Sequence, residues 1–219
     1  MPQNKPSSQI ISRQRVADHG EVFTAEREVK AMCDLVCDET FRIESRFLEP
    51  ACGQGAFLME ILRRKLDVVT QRYRKKQNTW EEYAVIAISS LYGIELLEDN
   101  LATCRQNLFE LFDKTYTDLF KTQCKEACRR SVRYILRLNI LWGDALTLKT
   151  PDQAARPIVF AEWVDTGLGM IKRRDFTLAN LLENQPVEGL NLFSGLGEQA
   201  FVPSPTREYT LVHFLKLDE

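Results

Sequence analysis

The sequence has no apolar run approaching the roughly 18 residues of a membrane span, no internal repeat, no Pro-Pro pair among its eight prolines, and only two histidines, His19 and His213. The first absence argues against a helical membrane protein. The opening residues, Met1 to Ser8, are polar and carry no apolar core of a secretory signal, so a cytoplasmic location is expected. Neither sign of charge is in excess. Twenty-nine Lys+Arg stand against 31 Asp+Glu, a formal net charge of -2, which excludes a polyanion-binding surface spread over the whole molecule and leaves only local patches. Histidine scarcity also bears on the six cysteines. Cys33 and Cys37, like Cys124 and Cys128, are one helical turn apart, but no C-x-x-C pair or nearby histidine accompanies them. Their neighbours are apolar, and buried free thiols with no bound metal are expected.

What is present is an ordinary globular composition: 219 residues, 44% hydrophobic and 27% charged, enough to bury a core without disulfides. Thr24 reads as the N-cap of a helix reaching about Glu39, with Glu26 and Glu28 in its first turns. Arg46 to Glu49 is a short apolar run followed by Pro50-Ala51-Cys52-Gly53-Gln54-Gly55 and then a helical pattern from Ala56, which parses as strand, glycine turn and helix. A helix over about 79–89, a strand at 91–96, helical tracts over about 99–112 and 117–137, and strands at 139–142 and 157–163 complete the alternation. Strands and helices in that order predict an α/β fold, doubly wound around a mainly parallel sheet. After about Asp165 glycine and proline loosen the pattern until a terminal strand near Tyr209 to Leu215. The organisation expected is an N-terminal segment 1–24, a main domain 25–165 and an irregular C-terminal extension 166–219.

Three strand tips carry the chemistry. The Gly53-Gln54-Gly55 turn lets a ligand approach the backbone where helix-start N–H groups are unpaired. Glu95 ends the second strand, where an acid accepts hydrogen bonds from ribose hydroxyls. Asp144 follows the third, placed to accept from the exocyclic amine of an adenine ring. Each acid alone reads equally as a loop residue; their joint placement is the signal.

Phe47-Leu48-Glu49-Pro50-Ala51-Cys52-Gly53-Gln54-Gly55-Ala56-Phe57-Leu58 resembles the cofactor motif of the S-adenosylmethionine-dependent DNA adenine methyltransferases of restriction-modification systems. Gly20-Glu21-Val22-Phe23-Thr24 resembles that family's N-terminal motif, Tyr92-Gly93-Ile94-Glu95-Leu96 its ribose-binding strand, and Trp142-Gly143-Asp144-Ala145-Leu146 its adenine-contacting segment. The four stand in family order over residues 20 to 146. The resemblance implies a Rossmann-like fold of the class I methyltransferase type that binds S-adenosylmethionine. Phe23 and Thr24 then line the methionine moiety and Glu49 meets its amino group. Pro50, Ala51, Cys52, Gly53, Gly55 and Phe57 form the turn, Glu95 and Leu96 hold the ribose, and Asp144 and Ala145 the adenine.

The family's catalytic tetrapeptide, (Asn/Asp/Ser)-Pro-Pro-aromatic, belongs at the end of the fourth strand, where it holds and stacks a flipped base. Here that strand reads Phe160-Ala161-Glu162-Trp163-Val164-Asp165. Glu162 as acceptor and Trp163 as stacking ring are the substitutes on offer; the plainer reading is a solvated strand end and a core aromatic. Asn184-Gln185-Pro186-Val187 lacks the aromatic, and the tail after Trp163 is shorter than the domain of about a hundred residues that reads a target sequence. A cofactor-binding subunit is therefore expected, with DNA contact, catalytic motif and target recognition supplied by a partner protein. The alternatives are a non-catalytic regulatory or assembly subunit and a methyltransferase for a non-DNA acceptor. The basic groups at Arg63 to Lys76, at every fourth residue from Lys121 to Arg137, and in Met170 to Phe176 read either as phosphate contacts or as solvated, acid-paired faces.

Overall fold

The computed structural model describes residues 24–183 and 204–219, together with Arg15 and Ala17. Two short helices, α1 (Glu26–Asp34) and α2 (Cys37–Thr40), lead into β1 (Phe47–Glu49). Then come α3 (Ala56–Tyr73), α4 (Gln77–Ser89), β2 (Leu91–Glu95), α5 (Glu98–Phe120), α6 (Glu126–Asn139) and β3 (Ile140–Trp142). β1, β2 and β3 pair in parallel in that order, Phe47 opposite Leu91 and Gly93 opposite Ile140. Parallel neighbours need long crossovers, and the two helix pairs supply them. The chain is α/β, as its pattern predicts, and no described helix is long and apolar enough to cross a membrane.

The helices follow from their apolar spacing. In α6, Cys128, Val132, Ile135 and Leu136 are buried, a stripe at helical period. Arg129 and Arg133 of the four-residue basic series pair with Asp113 and Glu126, and Arg130 beside them pairs with Asp218. α4 is buried on nearly every side, packed between α3 and α6 with Trp80, Ala84, Val85, Ala87 and Ile88 fully enclosed. Its one buried acid, Glu81, accepts hydrogen bonds from the Tyr116 hydroxyl, the Gln77 amide at 2.8 Å and the Lys125 ammonium at 2.6 Å.

Several helix boundaries differ from the sequence pattern. The N-cap of the first helix is Ala25 and not Thr24, and no side chain caps it. The first helix stops at Asp34 because Leu35 is 84% exposed and Val36 leaves helical geometry (φ -122°, ψ 34°). Conversely, the tract beginning at 98 does not break near residue 112. Leu108, Phe112 and Tyr116 continue one buried stripe, and the helix ends only where Lys121 adopts a positive φ of 52°.

Side chains alternate across the parallel sheet. Phe47, Leu91 and Ile140 face the helices and the main core. Tyr92 and Ile94 face the other way, into a smaller cluster with Ile158, Phe160 and Leu178. That second face is covered by Ile158, by Phe160 of a hairpin, β4 (Val159–Asp165) and β5 (Met170–Thr177), and by Leu178 and Leu181 of α7 (Leu178–Glu183), into which the hairpin leads; β6 (Arg207–Glu208) and β7 (Val212–His213) extend the hairpin.

The fourth strand is thus a correction to the expected parallel continuation. Residues 143–158 contain no helix to make a crossover; they fold back through bridges joining Asp144 to Lys149 and Lys149 to Pro157. Ile158 packs against Gly143 and Ile94 at the carboxyl end of the sheet. Five residues on, Trp163 Nε1 donates to Asn139 Oδ1 at 2.9 Å, and Asn139 Nδ2 donates to the carbonyls of Ser89 and Leu91 at the amino end. β4 therefore runs against β1–β3. β5 escaped the sequence reading because its centre, Lys172-Arg173-Arg174-Asp175, is charged. Each charge has a partner: Lys172 with Glu208, Arg173 with Asp175, Arg174 with Glu162. The hairpin also joins residues on both sides of the boundary expected at 165.

Lys65 on α3 is fully buried. Its ammonium donates to the carbonyls of Ile43, at 3.1 Å, and Ser45, and to Ser90 Oγ at 2.5 Å, and lies over the Phe47 ring. Burial pulls its pKa down to about 7, against the Glu44 and Glu39 charges, which raise it. It staples the entry of β1 to the turn before β2. Lys65→Ala leaves those acceptors unpaired beside a cavity and is expected to cost about 2–4 kcal/mol in urea unfolding. Lys75→Ala, at an exposed position, is the control and leaves the midpoint unchanged.

Candidate functional site

β1 ends at Glu49, and the chain then turns sharply before α3. Gly53 and Gly55 have φ of 53° and 89°, the left-handed region that glycine enters without steric cost. At Gly55 the requirement is double, since an added Cβ would sit 2.7 Å from Cys104 Sγ. Cys52 N–H donates to Ile94 C=O at 3.0 Å and Gly55 N–H to Cys52 C=O at 2.8 Å. The turn is thereby fixed to the tip of β2.

Glu95 completes that fixation. One carboxylate oxygen accepts from Gly53 N–H at 2.7 Å and the other from Leu97 N–H at 2.8 Å. Leu97 is the N-cap of α5, and Gly55 that of α3. A single buried acid thus sets the starts of both helices, whose unpaired N–H groups and positive dipole ends converge at the strand tips. Each oxygen of Glu95 retains a second acceptor site.

A groove of about 370 Å³ opens beside the turn. It is lined by Thr24, Glu49, Ala51, Gly53 and Phe57, with Cys52 and Asn107 among the remaining walls. Six of the positions expected at the site therefore share one surface. Burial raises the Glu49 carboxyl above the usual carboxylate range, against a bond from the Ala51 backbone that lowers it. The Cys52 thiol is raised by a hydrogen bond to Cys104 and then by burial, which marks it as packing and not as a nucleophile. All six cysteines are free thiols.

The remaining expected residues lie on the neighbouring tips. Pro50 is exposed at the end of β1, and Leu96 is 42% exposed after β2. Trp142 Nε1 donates to Leu96 C=O at 2.9 Å, and Gly143 N–H to Glu95 C=O at 3.0 Å, joining the third tip to the second. Asp144 turns its carboxylate onto its own loop, accepting from Leu146 N–H at 2.8 Å and Thr147 Oγ1 at 3.0 Å, and the Leu146 bond lowers its pKa. Ala145, half-buried, packs against the smaller core cluster. Phe23, the rest of the Gly20-to-Thr24 motif before Thr24, and Asn184-Gln185-Pro186-Val187 lie outside the described residues.

Glu162 and Trp163 are not brought to this groove. Glu162 sits between Arg46 Nη2 at 2.8 Å and Arg174 Nε at 2.7 Å. Trp163 is 8% exposed and bonded to Asn139, at the opposite end of the sheet. Trp163 conforms to the plainer reading, a core aromatic; Glu162 does not, being no solvated strand end but a mid-strand residue, 16% exposed, held between two arginines. The reversed direction of β4 is the physical reason that neither reaches the groove.

Asn107 went unnoticed in the sequence. Its Nδ2 donates to Gln54 C=O at 3.0 Å, bracing the glycine turn from α5. Nothing in its surroundings distinguishes it from other polar helix residues until the helix is docked. Compared with protein-family models, curated proteins and solved structures, the chain matches none.

The turn's geometry carries its own test. Gly55→Ala meets both the positive φ and the Cys104 sulfur, so about 2–4 kcal/mol of stability is expected to be lost. Pairing it with Cys104→Ala relieves only the steric part. Equal losses in thermal unfolding of the single and double variants would refute this account of the turn.

Proposed function

We propose that the chain is the S-adenosylmethionine-binding subunit of a DNA adenine methyltransferase, with a Rossmann-like methyltransferase architecture of which β1–β3 form one half. A partner protein supplies the catalytic tetrapeptide and target recognition. The observation that carries this is the groove at the tip of β1, where a half-buried carboxylate, Glu49, faces a glycine turn at the start of α3. An α-amino acid end with a cationic centre fits that chemistry: the ammonium pairs with Glu49, and the backbone approaches closely at Gly53. Glu95 and Asp144 stand at successive strand tips, where a ribose and a purine amine would find acceptors, and Leu96 offers an apolar edge between them. The volume lies within the usual range for small-molecule sites. When bound, the cofactor supplies an activated methyl group on a sulfonium.

The chain's own residues bind and orient; none described at the groove is placed to hold a target base. The restraint of Glu162 by two arginines and the burial of Trp163 disfavour a self-sufficient enzyme that uses them. They favour completion by a partner, which would flip the base out of the duplex and present its amine.

Isothermal titration tests the cofactor half. Glu49→Gln removes one charge-assisted bond and is expected to weaken S-adenosylmethionine binding about tenfold, about 1.4 kcal/mol. The ammonium needs Glu49 ionised, and the raised pKa means that protonation begins at a higher pH than for an ordinary carboxyl. Affinity is therefore expected to fall on acidification in the natural chain, starting from a higher pH than an ordinary carboxyl would set, and to stay flat over that range in the glutamine variant. Methylation of DNA by this chain alone would contradict the partner-dependent reading.

A further inference from the structure

The two edges of the parallel sheet differ. At β3, the Arg105 side chain donates from Nε at 2.9 Å and from Nη2 at 2.5 Å to the Ile140 carbonyl, and Nη2 also reaches Arg137 C=O. That edge is capped by a guanidinium. At β1 nothing equivalent is present among the described residues. Phe47 N–H donates to Ser90 C=O within the parallel ladder, so the next residue, Leu48, turns its N–H and C=O away from β2. β1 is the terminal strand, and Leu48 is 46% exposed.

The hairpin that covers the second face stops short of β1. Between them is a cleft of about 500 Å³, walled by Leu48, Tyr92, Phe160, Phe176, Leu178 and Leu181. Its amino end carries Arg46 and Arg174 around the single acid Glu162, a local excess of one positive charge. An exposed strand edge next to an apolar cleft is a template for strand addition. In doubly wound sheets the ligand crevice lies where the strand order reverses, beside the first strand. Among the described residues that position has no strand.

We propose that this edge and cleft receive an extended segment of the partner protein, which adds to β1 as a parallel strand. This rests on the function proposed above and assigns its docking surface. Such a strand pairs with the Leu48 N–H and C=O and places alternate apolar side chains in the cleft. It begins with an acid beside Arg46 and Arg174. Its carboxyl end emerges next to Glu49 and Gly53, so residues following it reach the groove that β4, by its reversed direction, leaves without them.

The full chain is titrated with a capped peptide, Asp-Val-Thr-Val-Thr-Asn-Pro-Pro-Tyr, while amide hydrogen exchange at Leu48 is followed by NMR. The peptide is expected to slow Leu48 exchange at least about tenfold at about 1 mM. Leu48→Glu on the chain, or proline at alternate strand positions of the peptide, should remove the effect. Three results would overturn the proposal: unchanged Leu48 exchange at that concentration, a Leu48 amide already protected in the free monomer by the chain itself, or protection that arises from dimerisation. S-adenosylmethionine titrated into the same sample separates the two claims. Cofactor binding without peptide protection sinks the docking surface alone; peptide protection without cofactor binding sinks the functional reading and leaves the surface.

Discussion

The Glu95 carboxylate is the constraint on which the arrangement of the strand tips depends. It is buried, yet both oxygens are engaged by backbone N–H groups, Gly53 on one side and Leu97 on the other. Charge-assisted bonds of this kind contribute about 1.5–3 kcal/mol each. Their structural consequence exceeds their energy. Gly53 precedes α3 and Leu97 precedes α5, so one side chain aligns two helix starts and aims their dipoles at the same space. Cys52, Cys104 and Gly93 pack behind the turn tightly enough that a Cβ on Gly93 would meet Cys52 Sγ at 3.0 Å. The groove is shaped by this packing and by Glu95 together.

The β4–β5 hairpin is the second determinant. It buries the sheet's other face with Ile158, Phe160 and Leu178, which stabilises three short strands that could not stand alone with one face wet. Its direction separates two sets of residues. The strand-tip acids lie at the carboxyl end, while Glu162, Trp163 and Asn139 lie toward the amino end, tied into structural bonds. The distance of Glu162 and Trp163 from the groove is therefore explained by topology.

The strands β1 to β3, the glycine turn and the acids at their tips were legible in the sequence because each leaves a local mark: a short apolar run, a glycine pair, an acid at a fixed place. The direction of β4 was not, because it depends on the fold of residues 143–158, where the Lys149 bridges replace a crossover helix. β5 was hidden by its own charges, whose partners Glu208, Asp175 and Glu162 are distant or alternate in sequence and become neighbours only when the hairpin closes. Likewise Lys65 reads as one member of a basic cluster until α3 packs it against Ile43, Ser45 and Ser90. In each case the deciding contact is long-range, and hydropathy records only the residue.

The central claim, that the tips of β1 to β3 form one cofactor crevice organised by Glu95, is tested most directly by mapping backbone amide shifts during titration with S-adenosylmethionine. The account predicts the largest shifts at Gly53, Gly55, Leu97 and Ala145, with β4 and β5 unmoved. Saturating cofactor that leaves those four amides in place, or that moves the hairpin instead, would contradict it.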